Sequence, residues 1–173
     1  LPSIFERQYK IDLPSEFEVL VLFFIIGSIY LGEVQDFYTM FPWWDLFLHT
    51  ISGLIFAFLA FSLVLILNEE KSLELSPAFV ALFAFSFALA SGTIWEIFEF
   101  SMDRYVIKGA GGVIMQKSGL VDTMWDLIVD TLGALIVSIL GWLYIKGEVR
   151  LFKHWETRFK RNNPHFFKKS KKK

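Results

Sequence analysis

The sequence predicts an all-α fold, a polytopic membrane bundle of four transmembrane helices with a C-terminal amphipathic basic helix or tail. The composition is one reason: 54% of the 173 residues are hydrophobic and the mean hydropathy is +0.48, which is more apolar than a soluble domain of this length. A second reason is that the apolar residues form four separate stretches, each near the ~20 residues that a helix needs to cross a bilayer. The alternation that marks a membrane barrel is absent from the sequence.

The four stretches are bounded by recognisable helix signals. They cover approximately residues 17–32, 44–67, 78–102 and 121–145. Residues 12–16 resemble a helix start, since proline and acidic residues suit the first turn. Asn68 begins the charged segment that ends the second stretch, and Ser76-Pro77 opens the third. The connection 38–44 is aromatic, as is typical of a membrane interface, and the glycine-rich connection 104–120 is expected to turn tightly or flex.

The positive charges divide the chain into a bundle, 1–147, and a basic amphipathic tail, 148–173. Eleven of the 17 lysines and arginines lie in residues 146–173. This excess predicts a multi-pass protein of the inner or plasma membrane with a cytoplasmic C-terminus. One apolar face in the tail predicts a helix lying on the membrane, with its basic end against anionic lipids; a topology signal with a disordered tail is the alternative. That face comprises Leu151, Phe152, Trp155 and Phe159. No nucleic-acid partner is expected, because no suitable fold surrounds the basic tail.

Eight ionisable side chains lie at one end of three apolar stretches. They are Asp45, His49, Glu96, Glu99, Asp103, Asp122, Asp126 and Asp130. Within each stretch the spacing is three or four residues, which places the members on one helix face. The second stretch enters the membrane from the outside, the third ends at the outside, and the fourth enters from the outside again. All eight side chains are therefore expected at one depth, facing outward.

Helix capping accounts for some of these acids but not for all of them. Asp45 and Asp122 lie at predicted helix N-termini, where the helix dipole favours an anion. Asp130 lies eight residues further than Asp122, a rise of ~12 Å, so it cannot be a cap. Glu96 and Glu99 lie near a helix C-terminus, where the dipole disfavours negative charge. Intramembrane carboxylates are costly and mark functional sites by default.

These residue types predict a divalent-cation site. Oxygen-rich sets with one histidine suit Mg²⁺, Mn²⁺, Ca²⁺ or iron better than structural zinc. The predicted metal ligands are Glu96, Glu99, Asp103, Asp122, Asp126 and Asp130. His49, beside Asp45, is predicted to act as an acid or base. The alternative is a protein-only polar network that locks the bundle.

Three functions are compatible with this pattern. The first is a metal-dependent hydrolase or transferase acting on a lipid or lipid-linked substrate. The second is a cation or proton transporter, which would need oligomerisation to complete a path, because the other halves of these stretches carry no charge. The third is a membrane scaffold. The absence of cysteine excludes thiolate catalysis and thiolate metal ligands.

The residues around the acids resemble a known family. The shared pattern is Glu33, Tyr38, Phe41-Pro42-Trp43-Trp44-Asp45, His49, Ser52-Gly53, Trp95-Glu96-Ile97-Phe98-Glu99, Asp103, Asp122-Thr123-Met124, Asp126 and Asp130-Thr131-Leu132-Gly133. It is similar to the YjdF-like bacterial inner-membrane proteins and, more distantly, to VanZ-type proteins associated with glycopeptide tolerance. The resemblance implies an inner-membrane helical protein and carries no assigned activity. VanZ-type chains usually have Gln or Arg where this chain has Glu99 and Asp103.

Overall fold

The computed structural model describes residues 12, 15–71, 73–107 and 114–164, which are helical or irregular and contain no strand. The helices are α1 (Ser15–Ile25) with a π-helical continuation (Ile26–Val34), α2 (Phe37–Met40), α3 (Trp44–Lys71), α4 (Pro77–Met102) with a π-helical continuation (Asp103–Ile107), α5 (Leu120–Ile145) and α6 (Lys153–Asn162). The all-α class predicted from the sequence is confirmed.

Four helical segments of the described residues are long and apolar enough to cross a membrane. They are Phe17–Val34, Trp44–Asn68, Pro77–Ile107 and Leu120–Ile145, with mean hydropathies of 2.0, 2.6, 1.8 and 2.0. They confirm the four predicted spans. The third runs past its predicted end at residue 102, because the backbone continues as a π-helix through the charged pair Asp103-Arg104.

The predicted start of the third span is confirmed by its cap. The Ser76 hydroxyl accepts a hydrogen bond of 3.2 Å from the backbone N–H of Phe79, and Pro77 occupies the first turn. Both features satisfy or remove backbone donors that have no partner at a helix start. The short loop before Ser76 therefore ends where the sequence predicts.

The core of the bundle lies where α3, α4 and α5 pack together. Ala57 on α3, Ala88 on α4 and Ala134 on α5 are at most 1% exposed and belong to one apolar cluster. Small side chains at such positions allow helix backbones to approach closely in a membrane. A second cluster around Phe61 and Val80 continues the core toward α6.

Two glycines set the closest approach of α3 to α5. A Cβ on Gly53 would collide with the backbone carbonyl oxygen of Asp130, and a Cβ on Gly133 would collide with that of Thr50. The backbones of α3 and α5 are therefore in direct contact, through a glycine of each helix. This approach brings the polar faces of α3 and α5 together.

The amphipathic helix α6 packs its aromatic side chains onto the bundle. Phe152, just before α6, and Phe159 are 8% and 3% exposed. The Phe152 ring centroid lies 5.3 Å from that of Phe61, and the Trp155 centroid lies 5.1 Å from that of Phe58. The apolar face predicted for lipid is thus partly used for protein packing; the basic end, 165–173, lies outside the described residues.

Replacing Gly53 with alanine is expected to lower the unfolding temperature in detergent, because backbone atoms cannot move aside for the new methyl group. Overpacking of this kind costs roughly 1–3 kcal/mol. Gly27→Ala is the matched control, since its Cβ would meet only side-chain atoms of Leu48 and Trp44. Equal unfolding temperatures for the two variants would contradict a backbone contact between α3 and α5.

Candidate metal centre

Six of the eight predicted site residues converge inside the bundle at one end of α3, α4 and α5. They are Asp45, His49, Glu96, Glu99, Asp126 and Asp130. Ligand atoms of Asp45, His49 and Asp126 lie within 4.8 Å of one another, and so do those of His49, Glu96 and Glu99. His49 belongs to both groups and is therefore the centre of the cluster.

The two ring nitrogens of His49 face different partners. Nδ1 lies 3.3 Å from Oδ2 of Asp130, whereas Nε2 lies 3.8 Å from Oε1 of Glu96 and 4.0 Å from Oδ1 of Asp45. A carboxylate beside Nδ1 favours the tautomer that carries its proton there. Nε2 then points toward the other carboxylates, and His49 is 7% exposed.

Asp130 supports His49 from the interior of the bundle. Its side chain is 1% exposed, and its Oδ1 accepts a hydrogen bond of 2.6 Å from the hydroxyl of Ser52. Space for the carboxylate comes from Gly92 on α4, where a Cβ would collide with Oδ2 of Asp130. Asp130, predicted as a metal ligand, thus lies where it orients the imidazole through a hydrogen bond.

Glu96 has one satisfied and one unsatisfied carboxylate oxygen. Oε2 accepts a hydrogen bond of 3.1 Å from Nε2 of Gln116. Oε1 is buried and has no hydrogen-bond partner among the described residues, although it faces Nε2 of His49. An unsatisfied buried carboxylate oxygen is costly, and it calls for a compensating positive group.

The remaining acids of the cluster differ in how deeply they are buried. Asp126 is 2% exposed, whereas the Asp45 side chain is 38% exposed. Glu99 is half-buried and accepts a hydrogen bond of 2.9 Å from the indole of Trp95. Burial raises the pKa of Tyr38, and the charges of Asp45, Glu33 and Glu99 raise it further. Tyr38 therefore places a protonated phenol near the more exposed acids.

Two predicted ligands hold the connection between α4 and α5 instead of joining the converging groups. The carboxylate of Asp103 accepts backbone hydrogen bonds of 2.7 Å from Met115 and 2.8 Å from Gln116. Asp122 accepts one of 3.1 Å from the hydroxyl of Ser118. Neither belongs to the two groups of converging ligand atoms found among the described residues.

Carboxyl groups outnumber basic side chains in the cluster. Five carboxylates surround a single imidazole, and among the described residues no lysine or arginine forms an ion pair with any of them. Lys117, at this end of the bundle, donates to the backbone carbonyl of Tyr38 at 3.1 Å. Carboxylates gathered in a desolvated site repel one another unless a cation compensates them.

Three uncharged contributors were not singled out from the sequence as site residues: Ser52, Gln116 and Thr123. Ser52 lies three residues from His49, so helical spacing alone could have placed it beside the cluster. Thr123 lies next to Asp122 in the first turn of α5, and its hydroxyl accepts a hydrogen bond of 2.7 Å from Gln116. Gln116 had no sequence signal, because a neutral residue in a loop has neither periodicity nor charge.

Ser52→Ala is expected to destabilise the protein by about 1–3 kcal/mol, the usual penalty for leaving a buried acceptor unpartnered. Thermal unfolding in detergent would measure the difference. Ser91→Ala is the control, because Ser91 is half-buried and its hydroxyl donates to the backbone carbonyl of Phe87 on its own helix. If both variants unfold at the wild-type temperature, the contact between Ser52 and Asp130 does not support the cluster.

Comparison with known proteins identifies the family but carries no activity. An uncharacterized protein of Thermotoga maritima is 26% identical over 127 residues, which cover 73% of this chain. The matched region spans 62% of that relative, less than two thirds of its length. No solved structure matches the chain. The family profile of DUF2238 matches residues 1–147, and the chain therefore belongs to this family of predicted membrane proteins.

Proposed function

We propose that the cluster binds a divalent cation between Nε2 of His49 and the carboxylates around it. The observation that carries this proposal is the buried Oε1 of Glu96, which has no hydrogen-bond partner among the described residues. It faces Nε2 of His49 at 3.8 Å, beside further acids. A cation there would compensate the excess negative charge and use the free lone pair of the imidazole.

The donor set favours a hard or borderline cation. Several carboxylate oxygens and one imidazole nitrogen suit Mg²⁺, Mn²⁺, Ca²⁺ or Fe²⁺ better than a structural Zn²⁺. The inner ligands in this proposal are His49, which belongs to both groups of ligand atoms, Glu96 from one group and Asp126 from the other. Each of the three is less than 8% exposed. Asp45 and Glu99, which are more exposed, would lie nearer to an incoming substrate.

We infer that the cation serves a hydrolase or transferase acting on a lipid or lipid-linked substrate. It would polarise a phosphoryl or carbonyl oxygen of that substrate. Because Nε2 of His49 is taken up by the cation in this arrangement, Asp45 is the better acid–base group. In phosphoester hydrolysis, water gives a proton to Asp45 and attacks phosphorus, the P–O bond to the lipid breaks, and the leaving oxygen takes up the proton.

The depth of the cluster supports a substrate at the membrane surface. Trp43, Trp95 and Trp125 lie at the same end of the bundle as the acids and are about half exposed. Exposed tryptophans are typical of the interface between headgroups and acyl chains. With the cytoplasmic C-terminus proposed from the basic tail, this end faces the outside of the inner or plasma membrane.

The core beyond Asp130 favours an enzyme over a transporter. In the described parts of α3, α4 and α5, the buried side chains beyond this residue are apolar apart from Ser62 and Ser138. The apolar clusters around Ala57 and Phe61 close the path toward α6. A transporter needs access from two sides, whereas a hydrolase needs only one.

We further propose that the chain is a YjdF-like member of its family, a finer assignment that rests on the residues quoted above. Any link to VanZ-type proteins stays at the level of resemblance. A membrane scaffold with a protein-only polar network is the outcome that remains if the cluster binds no cation. Homo-oligomers and contacts of the basic tail with anionic lipids are also proposals.

Detergent-purified protein is expected to bind Mn²⁺ stoichiometrically and to unfold at a higher temperature in its presence. A ligand at 100 times its Kd adds about 2.7 kcal/mol of stability. Glu96→Gln and Asp126→Asn each remove an anionic ligand and should abolish both effects. Elemental analysis and thermal unfolding with and without chelator provide the measurements.

Glu148→Gln is the matched control for these two variants. Glu148 is an exposed acid beyond the other end of α5, paired with Lys146 at 3.4 Å. The Glu148→Gln variant should bind Mn²⁺ with the same affinity as the wild type. A wild-type protein that holds no metal and responds neither to chelator nor to divalent cations would refute the cation site and favour the scaffold.

In mixed micelles with Mn²⁺, the protein is expected to release phosphate from a lipid phosphoester such as phosphatidic acid. Asp45→Asn should lower kcat by roughly 100-fold or more, the usual contribution of acid–base catalysis, while changing the Mn²⁺ affinity far less than Glu96→Gln does. Colorimetric phosphate release and Mn²⁺ titration separate the two effects. Mn²⁺ or proton flux into proteoliposomes without phosphate release would favour the transporter instead.

A further inference from the structure

We propose that Gln116 is a positioning residue, which holds Glu96 in the orientation that cation binding requires. This inference rests on the proposed cation site and assigns a role in it to the connection between α4 and α5. Gln116 is 8% exposed, although it lies in a loop at the end of the bundle. Its side chain therefore inserts into the cluster rather than facing solvent.

The amide of Gln116 bridges the two helices that carry most of the acids. Its Nε2 donates to Oγ1 of Thr123 on α5 at 2.7 Å and to Oε2 of Glu96 on α4 at 3.1 Å. The same nitrogen also lies 3.4 Å from the backbone carbonyl oxygen of Glu96. An amide nitrogen has two protons, and the two shorter contacts account for both. With Oε2 held in this way, Oε1 of Glu96 is turned toward Nε2 of His49.

Hydrogen bonds also hold the backbone of the loop, and this fixes the position of the Gln116 side-chain amide. Asp103 accepts the backbone N–H groups of Met115 and Gln116, and the carbonyl of Gln116 accepts the N–H of Gly119 at 3.2 Å. The Lys117 ammonium adds a fourth hydrogen bond, to the backbone carbonyl of Tyr38. Asp103 thereby acts on the site through the loop, without contacting the proposed ion.

A neutral side chain at position 116 matters for the charge balance. An amide donates a hydrogen bond to Glu96 without cancelling its negative charge, so the carboxylate stays available to a cation. A lysine at this position would instead supply an internal positive charge beside the same oxygen. The charge of residue 116 should then decide whether the cluster needs an external ion.

Titration of the purified full chain with Mn²⁺ tests this role through two substitutions. Gln116→Met has a similar size but lacks the amide, and should raise the Kd for Mn²⁺ by roughly 10-fold or more, as is usual when a group supporting a ligand is lost. Gln35→Met, at an exposed glutamine, should leave the Kd unchanged. Circular dichroism would verify that each variant is folded.

Gln116→Lys provides a readout that a merely structural role would not change. It should lose Mn²⁺ binding, and chelator should no longer lower its unfolding temperature. Wild-type Mn²⁺ affinity in either Gln116 variant would overturn this inference while leaving the cation site in place. Failure of the wild-type chain to bind Mn²⁺ would overturn the proposed function, and this inference with it.

Discussion

The contact between Asp130 and His49 constrains most of the architecture at the polar end of the bundle. A carboxylate that is 1% exposed requires partners for both oxygens, and here they are Nδ1 of His49 and the hydroxyl of Ser52. Those partners lie on α3, so α5 must approach α3 at one register. The absence of a Cβ at Gly53 and Gly92 makes that register possible. The orientation of the imidazole, and thus the direction of Nε2, follows from it.

The spans and the gathering of acids could be predicted because both depend on local periodicity. Apolar length determines a span, and spacing of three or four residues determines a helix face. The partners of each acid depend on contacts that are distant in sequence. Nothing local distinguishes Asp103, whose oxygens accept loop N–H groups, from Glu99, which joins the cluster. The spacing predicts Asp130 on the same helix face as Asp126, whereas its contact with Ser52 depends on how α3 and α5 pack against each other.

The C-terminal tail is a second case in which sequence periodicity does not determine the contacts. An amphipathic helix presents an apolar face, and periodicity cannot decide whether lipid or protein covers it. In α6 that choice depends on Phe58 and Phe61 of α3, whose rings lie near those of Trp155 and Phe152. Asn163, fully buried at the end of α6, adds hydrogen bonds of 2.7 Å to the backbone of Asp12. The helix is thereby integrated into the bundle through contacts that span most of the chain.

The polar end and the apolar core are the two features on which the proposed catalytic role of the cluster depends. The carboxyl groups are gathered where the helices end, next to aromatic side chains suited to the interface. Beyond Asp130 the helices are packed through alanine and phenylalanine, which leaves a charge no favourable place to move. An ion attracted to such a cluster would stay there, compensated by carboxylates and exposed on one side. A catalytic cation must be retained and needs access from one side only, whereas a transported cation must be released to the other side of the membrane.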